Sequence, residues 1–182
     1  MDSRRSSTQP PGAARIAIAL GDVTGIGPEV TLKAVAAELD RDSLNYVLLG
    51  DLEFVRGLND RLGLRLDFGP YTGAQTRERV SVFSPPEVPQ LPMALPPGAP
   101  EAARAAVAYL KHGAEFCLRG EASALVTAPV SKEAIIRSGQ PFIGQTEFLS
   151  ELAGAQRTVM MLLGPDDRQR WLRVALDRKS VV

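Results

Sequence analysis

Short apolar runs that alternate with helical patterns constrain this chain more than any other feature. Each run is too short for a helix and ends at a glycine or at polar residues, as a buried strand does. The four clearest runs are residues 15–20, 45–49, 80–83 and 124–127. Strands that alternate with helices favour an α/β fold, layered α/β/α around a mostly parallel sheet.

Apolar residues at helical spacing predict the intervening helices. One helix starts at Pro28, and the others are expected at 52–62, 101–118, 132–138 and 146–153. The clearest stripe consists of Ala103, Val107, Leu110, Ala114 and Cys117, and it places Cys117 in the core. Two more strands are expected at 158–163 and 171–176, with Trp171 as a packing residue.

Two segments lack either pattern. Residues 84–100 hold seven of the fourteen prolines, which excludes an internal helix or strand there. This segment is either a linker or an extended excursion over the surface. Residues 1–14 are rich in Ser, Arg and Pro and are expected to be a disordered leader, so that ordered structure covers 15–182.

Composition excludes several classes of function. A single Cys and a single His, His112, leave no disulfide within the chain and no multi-histidine or cysteine-cluster metal site. A net charge of zero removes the general attraction for nucleic acid. No apolar run approaches a membrane span, and no signal-peptide pattern is found. We therefore expect a cytoplasmic protein without nucleic-acid or membrane partners.

The loop GDVTGIGPE, residues 21–29, joins the first strand to the first helix. Backbone N–H groups at a helix start bind phosphate or carboxylate, so Gly25 and Gly27 are candidate anion-binding residues. The loop is neither GxGxxG nor a Walker A motif. A tight structural turn explains the same glycines, and spacing alone favours that alternative.

A second candidate segment covers residues 125–152. It offers the cation Lys132, the amide of Gln145 and the hydroxyl of Thr146 for a polar ligand. The alternative is that Thr146 caps the helix that follows it, while Glu147 favours the positive end of the helix dipole. Composition alone leaves that alternative slightly ahead.

Taken together, GDVTGIGPE and the later LVTAPVSKEAI and GQTEFL resemble the 4-hydroxythreonine-4-phosphate dehydrogenase family. The family patterns are G-D/E-P-A-G-I-G-P-E and V-T-A/G-P-x-x-K…G-H-T-E-F, and the similarity spans about residues 16–176. The resemblance implies a fold of two α/β/α domains related to the isocitrate and isopropylmalate dehydrogenases. Residues 15–182 then correspond to the N-terminal portion of such an enzyme.

The resemblance also implies a function. Family members are homodimers that use NAD or NADP and a divalent metal to oxidise a small phosphorylated hydroxy acid, which then loses carbon dioxide, in vitamin B6 synthesis. The family's G-H-T-E reads GQTE at residues 144–147. By this correspondence Gln145 and Thr146 are substrate-binding residues, and loss of the titratable ring at Gln145 lowers the expected phosphate affinity.

The sequence departs from the family after residue 176, where a T-T-H-x-P segment is missing. The family's metal-binding histidines and glycine-rich cofactor region follow that segment. We therefore expect no metal ligand and no cofactor-binding residue in this chain, assign no catalytic residue, and expect no turnover by the chain alone. Alternatives are a non-catalytic anion-binding or interaction remnant, a family member acting on another hydroxy acid or a dihydrodiol, and, last, an unrelated transferase.

Overall fold

The computed structural model describes residues 14–73, 75–167 and 170–177. The leader expected at residues 1–14 lies outside the described residues except for Ala14. The elements are, in chain order, β1 (Arg15–Ala19), α1 (Gly27–Glu38), β2 (Asn45–Leu49), α2 (Leu52–Leu62), β3 (Gly69–Pro70), β4 (Val80–Phe83), α3 (Pro100–Leu118), β5 (Ala124–Thr127), α4 (Lys132–Arg137), α5 (Gln145–Leu152), β6 (Val159–Pro165) and β7 (Trp171–Asp177).

Five strands form one parallel sheet in the order β3-β4-β2-β1-β5. Ile18 of β1 lies opposite Leu48 of β2 on one side and Val126 of β5 on the other. The central strands are buried almost throughout, as expected of a parallel sheet covered on both faces. The predicted α/β class is confirmed. The two-residue strand β3 was missed, because a Gly-Pro pair carries no apolar pattern.

The long helix α3 packs on the sheet against β1, β2 and β5. The strand order reverses on the way from β4 to β5, so a right-handed crossover places α3 on the face opposite α1 and α2. More of α3 is buried than the predicted stripe, including Tyr109 and Phe116. Cys117, which was predicted to be a core residue, is only partly buried.

Residues 84–99 contain neither helix nor strand and run over the surface between β4 and α3. The segment is held by a few buried side chains, among them Leu91 and Ala99. Met93 lies over Gly57 of α2, where a Cβ would come within 2.9 Å of the methionine sulfur. The proline-rich segment is therefore a surface excursion that packs on α2 and leads into α3.

The last two strands form a separate antiparallel hairpin, β6–β7, and do not join the parallel sheet. Five consecutive apolar residues, 159–163, are each about half exposed. Trp171 is 71% exposed, so its prediction as a packing residue was wrong. Among the described helices, none is long and apolar enough to cross a bilayer.

Candidate functional site

The two candidate loops meet at the carboxyl edge of the sheet, between β1 and β5. The chain leaves β1 toward β2 on one side, whereas β5 lies on the other side, so this is where the strand order reverses. Ligands of open α/β sheets bind in the crevice at such a point. The Asp22 amide donates to the Pro129 carbonyl at 3.0 Å, which joins the glycine loop directly to the segment after β5.

The glycines of the first loop have separate structural tasks. Gly21 has a φ of +72°, and a Cβ there would lie 2.3 Å from the Pro129 carbonyl oxygen. Gly27 is buried, and its Cβ would lie 2.7 Å from the Leu20 carbonyl oxygen. Gly25 is exposed and uncrowded. Close packing therefore accounts for Gly21 and Gly27. Gly25 leaves space at the surface, but its amide already donates to the Asp22 carbonyl at 3.0 Å.

A buried carboxylate, which sequence reasoning did not single out, orders this loop. Asp22 Oδ1 accepts from the Thr24 amide at 2.9 Å and from the Thr24 hydroxyl at 2.7 Å. The Thr24 hydroxyl in turn accepts from the Gly98 amide at 3.3 Å. The D-x-T spacing is the signal that could have revealed this turn. The glycine loop is thereby tied to the end of the proline-rich segment.

On the β5 side, α4 begins after a capped turn. The Ser131 hydroxyl accepts from the Ala134 amide at 3.2 Å and caps the helix. Lys132, the first residue of α4, is exposed and forms no ion pair among the residues described. Its ammonium group is therefore available to a ligand from solvent, although no hydrogen bond to a described residue orients it.

The start of α5 is bonded back to the end of β5. The Thr127 hydroxyl donates to Gln145 Oε1 at 2.8 Å, and Gln145 Nε2 donates to the Ala128 carbonyl at 3.0 Å. Gln145 is already the first residue of α5, so Thr146 lies inside the first turn. The alternative that Thr146 caps the helix is therefore wrong, because the cap residue is Gly144.

The Thr146 side chain is half-buried, and its hydroxyl has no hydrogen bond to another described residue. Only the Thr146 carbonyl is engaged, by the Ser150 hydroxyl at 2.6 Å. Of the residues predicted from the second segment, the structure thus leaves Thr146 and Lys132 free to bind. Gln145 keeps one N–H and one oxygen lone pair beyond its two bonds.

Neither His112 nor Cys117 belongs to this edge. His112 Nε2 lies 2.8 Å from Glu87 Oε1, and its ring packs on Phe83. Burial raises the pKa of the Cys117 thiol, which keeps it protonated and unreactive. A cavity of about 300 Å³ also lies elsewhere, between residues 87–89 and the outer face of α3. These features offer no nucleophile or base to the β1–β5 edge.

The described residues do not fit a metal centre. Within residues 14–73, 75–167 and 170–177, no three His, Cys, Asp or Glu side chains come together to hold an ion. The glycine loop is a poor cradle for a nucleotide pyrophosphate as well, because Gly27 is packed against the protein and Pro28 has no N–H. The side-chain groups that the described residues bring to this edge are the Thr146 hydroxyl, the Gln145 amide, the Lys132 ammonium and the Asp22 carboxylate, which orders the loop.

Comparisons with known proteins match most of the chain. The model of the family "Pyridoxal phosphate biosynthetic protein PdxA" matches residues 42–177. The 4-hydroxythreonine-4-phosphate dehydrogenase of Geobacter metallireducens is 36% identical over 156 residues, covering 82% of this chain and 45% of the relative. That of Trichlorobacter lovleyi is 34% identical over 178 residues, covering 89% and 48%.

Solved structures agree with the sequence matches. A 4-hydroxythreonine-4-phosphate dehydrogenase from Burkholderia phymatum has a TM-score of 0.74 at 29% identity, covering 91% of this chain and 49% of its own. The Klebsiella pneumoniae enzyme has a TM-score of 0.67 at 26% identity, covering 90% and 50%. The chain spans about half the length of the relatives that it matches.

Proposed function

Because the chain belongs to the PdxA family, whose curated relatives are 4-hydroxythreonine-4-phosphate dehydrogenases, we propose that its β1–β5 edge binds a phosphorylated hydroxy acid. The observation that carries this proposal is the Thr146 hydroxyl, unpaired among the described residues in the first turn of α5. It lies at the point of the sheet where α/β proteins bind small polar ligands.

The proposal gives each candidate residue a role. The Thr146 hydroxyl bonds to a substrate oxygen, and the unused N–H of Gln145 contacts the same ligand. Lys132 supplies a positive charge for the phosphate. Gly25 is exposed but contributes no free N–H, because its amide donates to the Asp22 carbonyl at 3.0 Å, and Gly27 is buried.

The complete reaction goes beyond these residues. We propose that residues 15–182 correspond to the N-terminal portion of a two-domain dehydrogenase that oxidises the substrate hydroxyl, with decarboxylation to follow. A nicotinamide nucleotide and a divalent metal would accept the hydride and polarise the oxygen in such an enzyme. For the 182-residue chain alone we propose substrate binding without turnover. A location in the cytoplasm stays a prediction.

Homodimer formation is part of the same proposal. The β6–β7 hairpin exposes eight large apolar side chains: Val159, Met160, Met161, Leu162, Leu163, Trp171, Leu172 and Val174. Together they offer on the order of 800 Å² of surface, the share that each partner contributes to a standard interface. Both outer edges of the hairpin also lack a strand partner in the described sheet. A second copy of the chain would cover this surface.

Calorimetric titration of the 182-residue chain with 4-hydroxythreonine 4-phosphate tests the substrate site. We expect Thr146→Val to weaken binding about tenfold, because it removes one hydrogen-bonding hydroxyl without changing side-chain volume. Thr146→Ser keeps the hydroxyl and should retain most of the affinity. Ser123→Ala, at the opposite end of β5, is the matched control and should bind as the native chain does.

The phosphate contact is separated from the hydroxyl contact by the choice of ligand. Lys132→Gln should weaken binding of the phosphorylated ligand while leaving binding of unphosphorylated 4-hydroxythreonine unchanged. Absence of binding heat at millimolar phosphorylated ligand would refute the site and favour a non-catalytic remnant. Formation of NADH or NADPH by the pure chain, abolished in Thr146→Val, would refute the assignment of binding without turnover.

A further inference from the structure

Gln145 links two elements that are far apart in the chain. It accepts from the Thr127 hydroxyl at 2.8 Å through Oε1 and donates to the Ala128 carbonyl at 3.0 Å through Nε2. Thr127 is the last residue of β5, and Gln145 is the first residue of α5. We call this pair of hydrogen bonds the amide bridge. It fastens the start of the helix to the carboxyl end of the strand.

Beyond its first turn, α5 is held by apolar contacts and by a hydrogen bond between the Ser150 and Thr158 hydroxyl groups, whose oxygens lie 2.6 Å apart. None of its residues is buried, and its cap residue, Gly144, makes no side-chain capping bond. The Phe148 ring packs 5.8 Å from that of the buried Phe142. Apolar packing of this kind is non-directional, whereas two hydrogen bonds to one amide fix an orientation. The amide bridge therefore sets where the first turn of α5 stands relative to the sheet.

We propose that Gln145 is a positioning residue, with Thr127 as its partner, that sets the place and direction of the Thr146 hydroxyl. The bridge requires one donor and one acceptor on the same planar group, and the glutamine amide supplies both at every pH. The consequence for binding rests on the proposed function of Thr146. The consequence for α5 does not, because it follows from the two hydrogen bonds alone.

The carboxyl variant Gln145→Glu distinguishes a hydrogen-bonding role of Gln145 from a role in which its side chain only fills space. An ionised carboxylate can accept from Thr127 but cannot donate to the Ala128 carbonyl, whereas the protonated acid can do both. We expect the acid to titrate above its ordinary value near 4.3, because its neutral form makes the bond that its charged form lacks. The bridge in this variant should therefore open as the pH rises.

Other ionisable groups lie on the segments that meet here. They are Asp22 in the glycine loop, Lys132 and Glu133 at the start of α4, and Glu147 in α5. Dividing each measurement on a variant by that on the native chain at the same pH removes their contribution. The pH dependence that remains belongs to the substituted position.

Hydrogen exchange of the α5 amides in the full 182-residue chain measures the bridge directly. At pH 7 we expect protection to fall about tenfold in Gln145→Glu and in Gln145→Met, which keeps the volume but removes both bonds. On acidification toward pH 4.5, only Gln145→Glu should regain protection relative to the native chain. Thr127→Val should lose part of the protection, Thr127→Ser should restore it, and Thr127→Val should add little in the Gln145→Met background.

Titration with 4-hydroxythreonine 4-phosphate then connects the bridge to binding. We expect affinity to follow α5 protection across the variants and across pH in Gln145→Glu. Unchanged α5 protection in Gln145→Met would overturn the proposal, and so would a Gln145→Glu variant whose loss is the same at pH 4.5 and pH 7. If the native chain binds no ligand while α5 protection behaves as expected, the positioning role is supported and the proposed substrate site fails.

Discussion

The sheet region and the β6–β7 hairpin both contain strands with apolar runs, but these runs are buried in the sheet and exposed in the hairpin. Val47, Leu48 and Leu49 of β2 are fully buried, because neighbouring strands and helices on both faces enclose them. Met161 and Leu163 of β6 are 57% and 61% exposed, because the hairpin makes no substantial contact with any other described element. An apolar run therefore identifies a strand, while only its neighbours decide whether the strand contributes to a core.

The largest contrast is expected from one substitution made in both regions. Leu48→Ala should lower the free energy of unfolding by about 3 kcal/mol, because it opens a cavity at a fully buried site. Leu163→Ala should change it by less than about 0.5 kcal/mol, because little apolar surface is buried there. Urea denaturation followed by circular dichroism measures both values.

Measurements at several protein concentrations separate the stability of the monomer from self-association through the hairpin. If a second copy covers the hairpin, Leu163→Ala should weaken self-association in sedimentation velocity while leaving the monomer equally stable. Equal costs of the two substitutions in dilute monomer would contradict the separation of the regions.

A smaller effect is expected where the packed region reaches the glycine loop. Gly27→Ala should cost about 2 kcal/mol, because the new methyl group would lie 2.7 Å from the backbone oxygen of Leu20. Gly25→Ala is the matched control and should cost less than about 0.5 kcal/mol, since its Cβ meets nothing closer than 3.4 Å. Thermal unfolding of both variants checks this difference, and equal losses would show that Gly27 is not closely packed.

The smallest signal is spectroscopic and comes from the sheet region alone, which holds all three tyrosines. Burial, with a hydrogen bond to Asp42, raises the pKa of Tyr46 to about 12. Burial also raises the pKa of Tyr71 and of Tyr109. We therefore expect less phenolate absorbance from the native chain at pH 10 than from the unfolded chain, whose tyrosines are about half ionised there.

The sign of the pH effect follows from these shifts. Between pH 10 and about 12 the unfolded state loses phenolic protons that the native state keeps, so stability falls as the pH rises through this window. Below pH 10 the contribution is fully present. Equal phenolate absorbance at pH 10 from the unfolded chain and from a chain with native circular dichroism would show that the tyrosines are not buried.

Local sequence patterns predicted the bounds of helices and strands well, but not the contacts between distant segments. The bounds of β2, α2, β4 and β5 are the predicted ones, because each is set by its own apolar spacing and the polar residues that end it. The contacts of Gln145 were not predictable in this way. They depend on the packing of the start of α5 against the end of β5, and no periodicity within either segment predicts that contact.

Prediction of the site was limited in the same way, because contacts between distant segments leave no local sequence pattern. Residues 125–152 were identified as a candidate from their composition, and within that segment the amide bridge joins Gln145 to Thr127 and Ala128. Asp22 was overlooked because the loop was interpreted through its glycines, although the D-x-T spacing of Asp22 and Thr24 is typical of such a turn. The prediction for Trp171 failed because an aromatic side chain in a strand is usually covered, and here nothing in the described chain covers it.

The pairing of β1 with β5 also has a kinetic consequence. Ile16 and Ala124 are register partners, although more than a hundred residues of chain separate them. Closing so long a loop costs entropy that local contacts do not repay, and sheets built from distant pairings fold slowly. We expect the β1–β5 ladder to form in the last step of folding, so that a chain halted before that step would have helices and a partial sheet but no binding edge.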